Sequence, residues 1–381
     1  MLPYGRQCLD EDDIAAVVET LRSPLITTGP RVDQFERAVA DDVGCNYAVA
    51  VSSGTAALHC AMHAIEIAPG DEVIVTPMTF AATANAVFYQ GGTPVFADVN
   101  ENTLLIDPRK VTERITTRTK AIVAVDYAGQ PCEYHALRSI AEAHNLWLVA
   151  DACHSLGGSY QGQPVGHLAD LTVFSFHPVK HITTGEGGMI TTDDEHLARR
   201  MKLFRNHGIS ADAHTRQARG SWYYEMTELG WNYRITDIQC ALGLSQLKKL
   251  SRWIEKRQRI AAAYDEAFAD ISSVQPLARR QPLEHAYHLY VVKIDNRRDA
   301  DARTKLFADL RAHNIAANVH YIPVHMHPYY RQVLGTGPGD CPVAEAAYEK
   351  IISLPMFPSM TVEDVDYVID TVRESTARHA L

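Results

Sequence analysis

Residues 48–76 read AVAVSSGTAALHCAMHAIEIAPGDEVIVT. A short apolar run, A-V-A-V-S at 48 to 52, passes through a serine-glycine turn into a helical pattern from Thr55 to Ile65, and a second apolar run, E-V-I-V-T, follows at 72 to 76. Runs this short, rich in valine and bounded by turn residues, read as strands buried on both faces. The same alternation continues outward. A helix is expected after Thr79, strands at 93 to 99 and 121 to 126, a helix from Tyr134 to His144, and strands at 146 to 151 and 171 to 176. Strands alternating with helices predict the α/β class, with a mostly parallel central sheet and helices on both faces. Such sheets bind ligands at the carboxyl ends of their strands, so candidate chemistry is sought there.

Upstream, D-E-D-D-I-A-A-V-V-E-T-L at 10 to 21 places acids in the first turn of a helix, and Val32 to Val43 forms a second helix closed by Gly44. Downstream, M-I-T-T at 189 to 192 fits a further strand. His207 to Arg234 then breaks the alternation with polar, glycine and aromatic residues, long enough for a functional loop. Thr236 to Ala269 reads as a long helix or a broken pair. Beyond it come a strand at 288 to 294, a helix at Ala302 to His313, an irregular segment at His320 to Arg331 and a last helix after Thr361. A chain of 381 residues exceeds the roughly 250 to 300 that one core serves. A large domain, 1–250, and a smaller C-terminal α+β domain, 251–381, are therefore expected.

Composition narrows the function by exclusion. With 36 basic against 46 acidic residues, a net charge of -10 and no basic run, neither nucleic acid nor an anionic membrane is expected as the main partner. The opening M-L-P-Y-G-R-Q has no signal-peptide pattern and no run of about 18 apolar residues occurs, which points to the cytoplasm. Seven cysteines, odd in number, scattered and never in C-x-x-C spacing, suggest reduced thiols rather than a disulfide framework or zinc knuckle.

The candidate chemistry centres on V-F-S-F-H-P-V-K-H-I-T-T-G-E-G-G, Val173 to Gly188. Proline after the strand makes continued pairing unfavourable, so Lys180 falls on a loop just past a strand end. A free lysine has a pKa of about 10.4 and is a poor nucleophile at neutral pH, but a carbonyl cofactor gives it a use. Asp151 closes another strand at the same rim. A plain ion pair is one reading. The more specific one is pyridoxal 5'-phosphate, its aldehyde held by the lysine as an imine and its ring nitrogen kept protonated by the aspartate. Ser52 to Leu58 offers either a helix N-terminus for a phosphate or a simple cap by Ser53 or Thr55. Phe80 is placed to stack on a ring or to be core, and His154 to bond the Asp151 carboxylate, to bond the cofactor or to be structural. His320, His325 and His327 lack the i, i+4 spacing and acidic companion of a metal site, so no metal is assigned and a pocket wall is preferred.

The motifs S-G-T-A-A-L, P-M-T-F-A-A-T-A-N-A, V-A-D-A-C-H-S, S-F-H-P-V-K-x-I-T-T-G-E-G-G and G-W-N-Y-R occur in an order and spacing that resembles the sugar aminotransferases of the DegT/DnrJ/EryC1/StrS family, across essentially the whole chain. Within it, P-Y-G-R-Q, I-T-T-G-P and the lysine motif look most like the pseudaminic acid branch, although His181 stands where that branch usually has proline. The resemblance implies a fold type I pyridoxal-phosphate-dependent transferase, with L-glutamate as amino donor and a nucleotide-linked 4-ketosugar, UDP-linked in that branch, as acceptor. It implies that Lys180 binds the cofactor and moves the proton, Asp151 pairs with the ring nitrogen, and Phe80 stacks on the ring. Thr55, Ala56 and Ser175 would bind the phosphate, and Asn232 would reach the neighbouring subunit's phosphate in a homodimer. His320 and Tyr321 match positions near the sugar nucleotide. Family members that dehydrate at C3 carry histidine in place of the lysine; here the aligned residue is Lys180. A non-catalytic relative on the same fold is opposed by the intact Lys180, Asp151 and Asn232.

Overall fold

The computed structural model describes residues 1–210, 220 and 222–379. Part of the expected 207–234 loop, 211–219 and 221, therefore lies outside the described residues. Two helices lead in, α1 (Glu11–Leu21) and α2 (Pro30–Val43). Asp10 and Asp13 cap α1 reciprocally, and Gly44 ends α2 in the left-handed conformation read from the sequence. The chain then lays down β1 (Tyr47–Val51), α3 (Gly54–Ala64), β2 (Glu72–Val75), α4 (Ala82–Tyr89), β3 (Thr93–Phe96), α5 (Pro108–Arg114), β4 (Thr119–Val125), α6 (Tyr134–His144) and β5 (Trp147–Asp151). After the two-residue strands β6 (Ser159–Tyr160) and β7 (Gln163–Pro164) come β8 (Leu171–Ser175), β9 (Gly188–Thr192) and α7 (Glu195–Phe204).

Seven strands form one sheet in the order β1-β9-β8-β5-β4-β2-β3. Pairings among β8, β5, β4, β2 and β3 are parallel; β9 runs antiparallel to both its neighbours. The M-I-T-T run is thus the strand that reverses direction. The lysine loop between β8 and β9 is a hairpin-like return, which leaves both of its ends at the ligand rim. β1, β8, β5, β4 and β2 all point their carboxyl ends to that rim, so Ser52, Ser175, Asp151, Asp126 and Thr76 emerge together.

A buried charge cluster fixes β1. Glu36 of α2 accepts from the Ala50 N–H at 3.0 Å, from Lys202 Nζ at 2.9 Å and from Arg205, whose guanidinium also reaches the Ala50 carbonyl at 2.6 Å. The strand that delivers the serine-glycine turn is thereby held to α2 and α7 at once.

The 236–269 segment is a broken pair, Asp237–Leu247 and Leu250–Phe268. The second helix lends Leu250, Trp253 and Ile254 to the core around the large sheet, and Ile260, Tyr264 and Phe268 to another core further along the chain. That second core packs the three-stranded antiparallel sheet β10 (Val274–Pro276), β12 (Tyr290–Ile294) and β13 (Ile351–Leu354) under helices Ala302–Ala312 and Val362–Arg378. β11 (Leu283–Glu284) pairs with β6. The 320–331 stretch is less irregular than expected: Pro at the first helical position starts a helix over Pro328–Leu334, closed by left-handed Gly335. Among the described residues, no helix is long and apolar enough to cross a membrane.

Candidate active site

At the end of β5, Asp151 is 5% exposed and accepts from Thr83 Oγ1 at 2.8 Å, with a longer contact from the Cys153 N–H at 3.3 Å. Thr83 is in turn bonded to Thr79 at 2.7 Å. The carboxylate is oriented by α4 and its preceding turn and keeps acceptor capacity for a protonated ring nitrogen. Of the three readings left open for His154, the bond to this carboxylate is not made. His154 instead meets the Tyr321 hydroxyl at 3.2 Å, and its Nδ1 is buried with no partner.

Lys180 is half-buried, with its Nζ 3.5 Å from His288 Nε2. Burial pushes its pKa down and the buried Arg257 adds to this, while Cys153 and Asp151 pull the other way. The direction favours the neutral amine a nucleophile needs. His288, His154 and His181 are each held well below the usual histidine range, by burial first and neighbouring positive charge second. All three imidazoles are therefore neutral beside the amine.

The serine-glycine turn resolves into a helix start. Ser53 is the N-cap of α3 and its Oγ takes the Ala56 N–H at 3.0 Å. The Ala56 N–H, one of the expected phosphate donors, is thus engaged by the cap. The N–H groups of Gly54 and Thr55, in the first turn, have no intrahelical acceptor and are the donors left for an anion. A Cβ on Gly54 would lie 2.9 Å from Ser175 Cβ and 3.4 Å from Cys153 Sγ. Glycine is thus needed for α3 to approach the ends of β8 and β5, and Ser175 stands beside those N–H groups.

Phe80 is 62% exposed, which excludes the core reading, and its ring centroid is 6.3 Å from that of Tyr321. His320 faces the protein: its ring bonds Ser353 at 2.9 Å and Asn318 at 3.3 Å, and its carbonyl accepts from Tyr127. Burial, then Lys180, lowers its pKa to about 4. Of the His320–Tyr321 pair, Tyr321 is the member that meets the site. His325 is spent on Glu345 at 2.9 Å. Asn232 is exposed and, among the described residues, its side chain has no hydrogen bond; its segment bonds Ser52 N–H through the Tyr233 carbonyl at 2.9 Å.

Sequence reasoning missed His288 and Arg257, and noted His181 only as a replacement for proline. His181 donates to the Ala286 carbonyl at 3.0 Å, a bond the usual proline cannot make. Arg257, 1% exposed and lowered to about 10 by burial, donates to the carbonyls of Tyr287, His288 and Met356 at 3.1 to 3.3 Å. Together they hold the 286–288 segment over Lys180. The only signal was the position of His288 at the head of H-L-Y-V-V-K-I. A cavity of about 690 Å³ lined by Arg199, Arg205 and Arg234, among others, does not include Lys180.

These groups fit pyridoxal phosphate: an acceptor at one end, open helix donors at the other, an amine of lowered pKa, an exposed aromatic ring, and an unpartnered buried His154 Nδ1. Comparison with known proteins is decisive on the family. The model of the DegT/DnrJ/EryC1/StrS aminotransferase family matches residues 7–373. The chain belongs to that family. As such it is a pyridoxal-phosphate-dependent sugar aminotransferase of fold type I. It is 44% identical over 375 residues to the spore coat polysaccharide biosynthesis protein SpsC of Bacillus subtilis, covering 98% of this chain and 96% of that one. Helicobacter pylori PseC, an aminotransferase involved in the biosynthesis of pseudoaminic acid, has a structure alike at TM-score 0.92, with 35% identity and 99% of each chain covered. The pyridoxamine phosphate form of the Streptococcus pneumoniae putative sugar aminotransferase Spr1654 gives TM-score 0.94 at 34% identity, covering 99% of this chain and all of that one.

Proposed function

We propose that the chain moves an amino group from L-glutamate to C4 of a nucleotide-linked 4-keto-6-deoxyhexose. The acceptor is UDP-2-acetamido-2,6-dideoxy-β-L-arabino-hex-4-ulose and the product UDP-4-amino-4,6-dideoxy-N-acetyl-β-L-altrosamine. The observation that carries the substrate is the likeness to H. pylori PseC along the whole chain. The observation that carries the chemistry is the lowered pKa of Lys180 between Asp151 and His288.

Bound in this site, pyridoxal phosphate supplies an electron sink for the carbon that loses a proton. Lys180 is the covalent attachment point, and its Nζ takes the proton from the amino-bearing carbon of glutamate and delivers one to sugar C4. Asp151, aimed by Thr83, keeps the ring nitrogen protonated. Phe80, with Tyr321 beside it, would stack on the ring, the Gly54 and Thr55 N–H groups with Ser175 would hold the phosphate, and His154 would offer its Nδ1. Neutral His288 accepts from the lysine and keeps it directed inward.

The reading includes a homodimer with shared sites, a cytoplasmic location and a division into domains at 250/251. The dimer is supported by exposed Asn232 beside exposed Trp222, Met226, Leu229 and Trp231. Mixing inactive Lys180→Ala and Asn232→Ala chains is expected to restore activity, because one site of a mixed dimer inherits neither defect; full activity in a stable monomer overturns it. The domain division is supported by the second hydrophobic core.

A second reading is favoured by the 44% identity to SpsC and by His181: another NDP-4-ketosugar, GDP- or dTDP-linked, is the acceptor. The deciding experiment converts the enzyme to its amino form with glutamate and offers the UDP-, GDP- and dTDP-linked ketosugars in turn. The spectrum of the lysine-bound form is expected to return fastest with the UDP-sugar. A faster return with a GDP- or dTDP-sugar refutes the acceptor while leaving aminotransfer intact.

A further inference from the structure

At the rim of the sheet opposite Lys180, three segments far apart in sequence converge. Cys45 follows the left-handed Gly44 that ends α2 and stands two residues before β1. His167 lies in the loop between β7 and β8. Asp193 directly follows β9, whose last residue Thr192 pairs with Tyr47 at the start of β1. One ligand atom from each, Cys45 Sγ, His167 Nδ1 and an Asp193 oxygen, lies within 4.8 Å of the others. The His167 to Asp193 separation is 2.9 Å and the Cys45 to His167 separation is 3.9 Å.

From these atoms we propose that the chain binds a divalent cation of the zinc class through Cys45, His167 and Asp193, with water as fourth ligand. Bond lengths of about 2.3 Å to sulfur and about 2.0–2.1 Å to nitrogen and oxygen put tetrahedral ligands roughly 3.3–3.6 Å apart. The observed 2.9 and 3.9 Å bracket that range and the third separation, Cys45 to Asp193, is within 4.8 Å, so rotamer adjustments of up to about 1 Å close the site. His167 and Asp193 side chains are 42% and 44% exposed, free to make them and open to metal entering from solvent. The donor set, one thiolate, one imidazole and one carboxylate, suits a borderline-soft ion rather than magnesium or calcium.

Supporting contacts are already built. Asp193 Oδ1 accepts the Asn46 N–H at 2.8 Å, which turns the other oxygen toward the cluster. The Gly166 carbonyl accepts from Thr191 Oγ1 at 2.9 Å, which holds the loop before His167 against β9; the bond Cys45 Sγ donates to the same carbonyl is given up when the thiolate takes the metal. A Cys-His-Asp nucleophile is the competing reading, and the geometry opposes it: the same ring nitrogen, His167 Nδ1, faces both Asp193 at 2.9 Å and Cys45 Sγ at 3.9 Å, whereas such a triad uses one ring nitrogen for each partner.

The five residues of β1 set this cluster about 15 Å along the strand from the serine-glycine turn. Its role is therefore structural. It ties the α2–β1 turn, the β7–β8 loop and the β9–α7 turn into one knot beneath the two strands that frame the lysine loop.

The test uses untagged holoenzyme and Co(II) alone as probe. One equivalent per chain is expected to give the visible bands of four-coordinate cobalt, with Cys45→Ser weakening binding about 100-fold or more, beyond the ~10–100-fold of an outer-shell change. Added Zn(II) is expected to raise the melting temperature of the wild type and of neither Cys45→Ser nor His167→Gln, with turnover at ambient temperature unchanged in both. Two variants guard against one that folds poorly. Octahedral cobalt bands, equal affinity in wild type and both variants, or no binding by the wild type overturns the proposal. Because each readout is independent of the sugar acceptor, failure here leaves the aminotransferase reading untouched.

Discussion

Glu36→Gln removes one charge from the cluster that fixes β1, and the structure sets the size of the effect. The Glu36 carboxylate is 5% exposed, Arg205 15% and Lys202 46%. Freed of Glu36, Lys202 turns into water at little cost, but Arg205 stays under the sheet with only the Ala50 carbonyl as side-chain hydrogen-bond partner among the described residues. Glutamine can still accept the Ala50 N–H, so the loss is that of one buried ion pair whose arginine is stranded, about 3–5 kcal/mol. Followed by urea unfolding, with a slope of about 3 kcal/mol/M, the midpoint drops by about 1–1.7 M. Adding Arg205→Met to Glu36→Gln is expected to recover part of the loss, because the unpaired charge is gone. Acid sensitivity carries the same signature. Burial alone would raise the Glu36 pKa, but Arg205 and Lys202 outweigh it and hold it below the ordinary value. A depressed folded pKa adds stability above the unfolded value of about 4.3 and loses it as pH falls through the folded value. Glu36→Gln should lack that component of acid unfolding. A cost below about 1 kcal/mol, or no recovery in the double variant, refutes the reasoning.

Borohydride reduction followed by peptide mapping is expected to place the pyridoxyl label on Lys180; a label on another lysine overturns the assignment. Asp151→Asn should keep the fold by circular dichroism and lose most activity, since a neutral amide does not support a protonated ring nitrogen; wild-type turnover would sink its role. Gly54→Ala forces a methyl to within 2.9 Å of Ser175 Cβ. The overpacking, about 1–3 kcal/mol, should appear as faster cofactor loss on dialysis. His288→Phe removes the acceptor facing Lys180 and should lower kcat by about 10²-fold with little change in KM, as expected for a group that assists proton transfer. An unchanged kcat and pH profile would show that the 3.5 Å contact is not used.

The α/β class, strands β1 to β5 and β8, and the lysine at a strand end were legible because each is a local property. Valine-rich runs, a glycine turn and a proline after a strand act within a few residues of themselves. Asp151 and Lys180 were legible for the same reason: each closes or follows its own strand, and parallel strands bring their ends to one rim. What the chain could not reveal locally was which side chains meet across that rim. His154 turns from Asp151 to Tyr321, Ala56 gives its N–H to Ser53, and His320 is consumed by Ser353 and Asn318. His154 meets a partner 167 residues away, His320 takes partners 33 and 2 residues away, and the cap selects one donor among adjacent ones, a competition that a local pattern does not fix. The roles of His288, Arg257 and His181 became visible only once the second hydrophobic core had carried the 286–288 segment back over the lysine. Cys45, His167 and Asp193 show no ligand spacing along the chain, because the order of β1, β9 and β8 in the sheet, rather than sequence distance, makes them neighbours. Local residue patterns determined the strands and their ends; long-range packing, which selects one partner for each polar atom, decided the contents of the site.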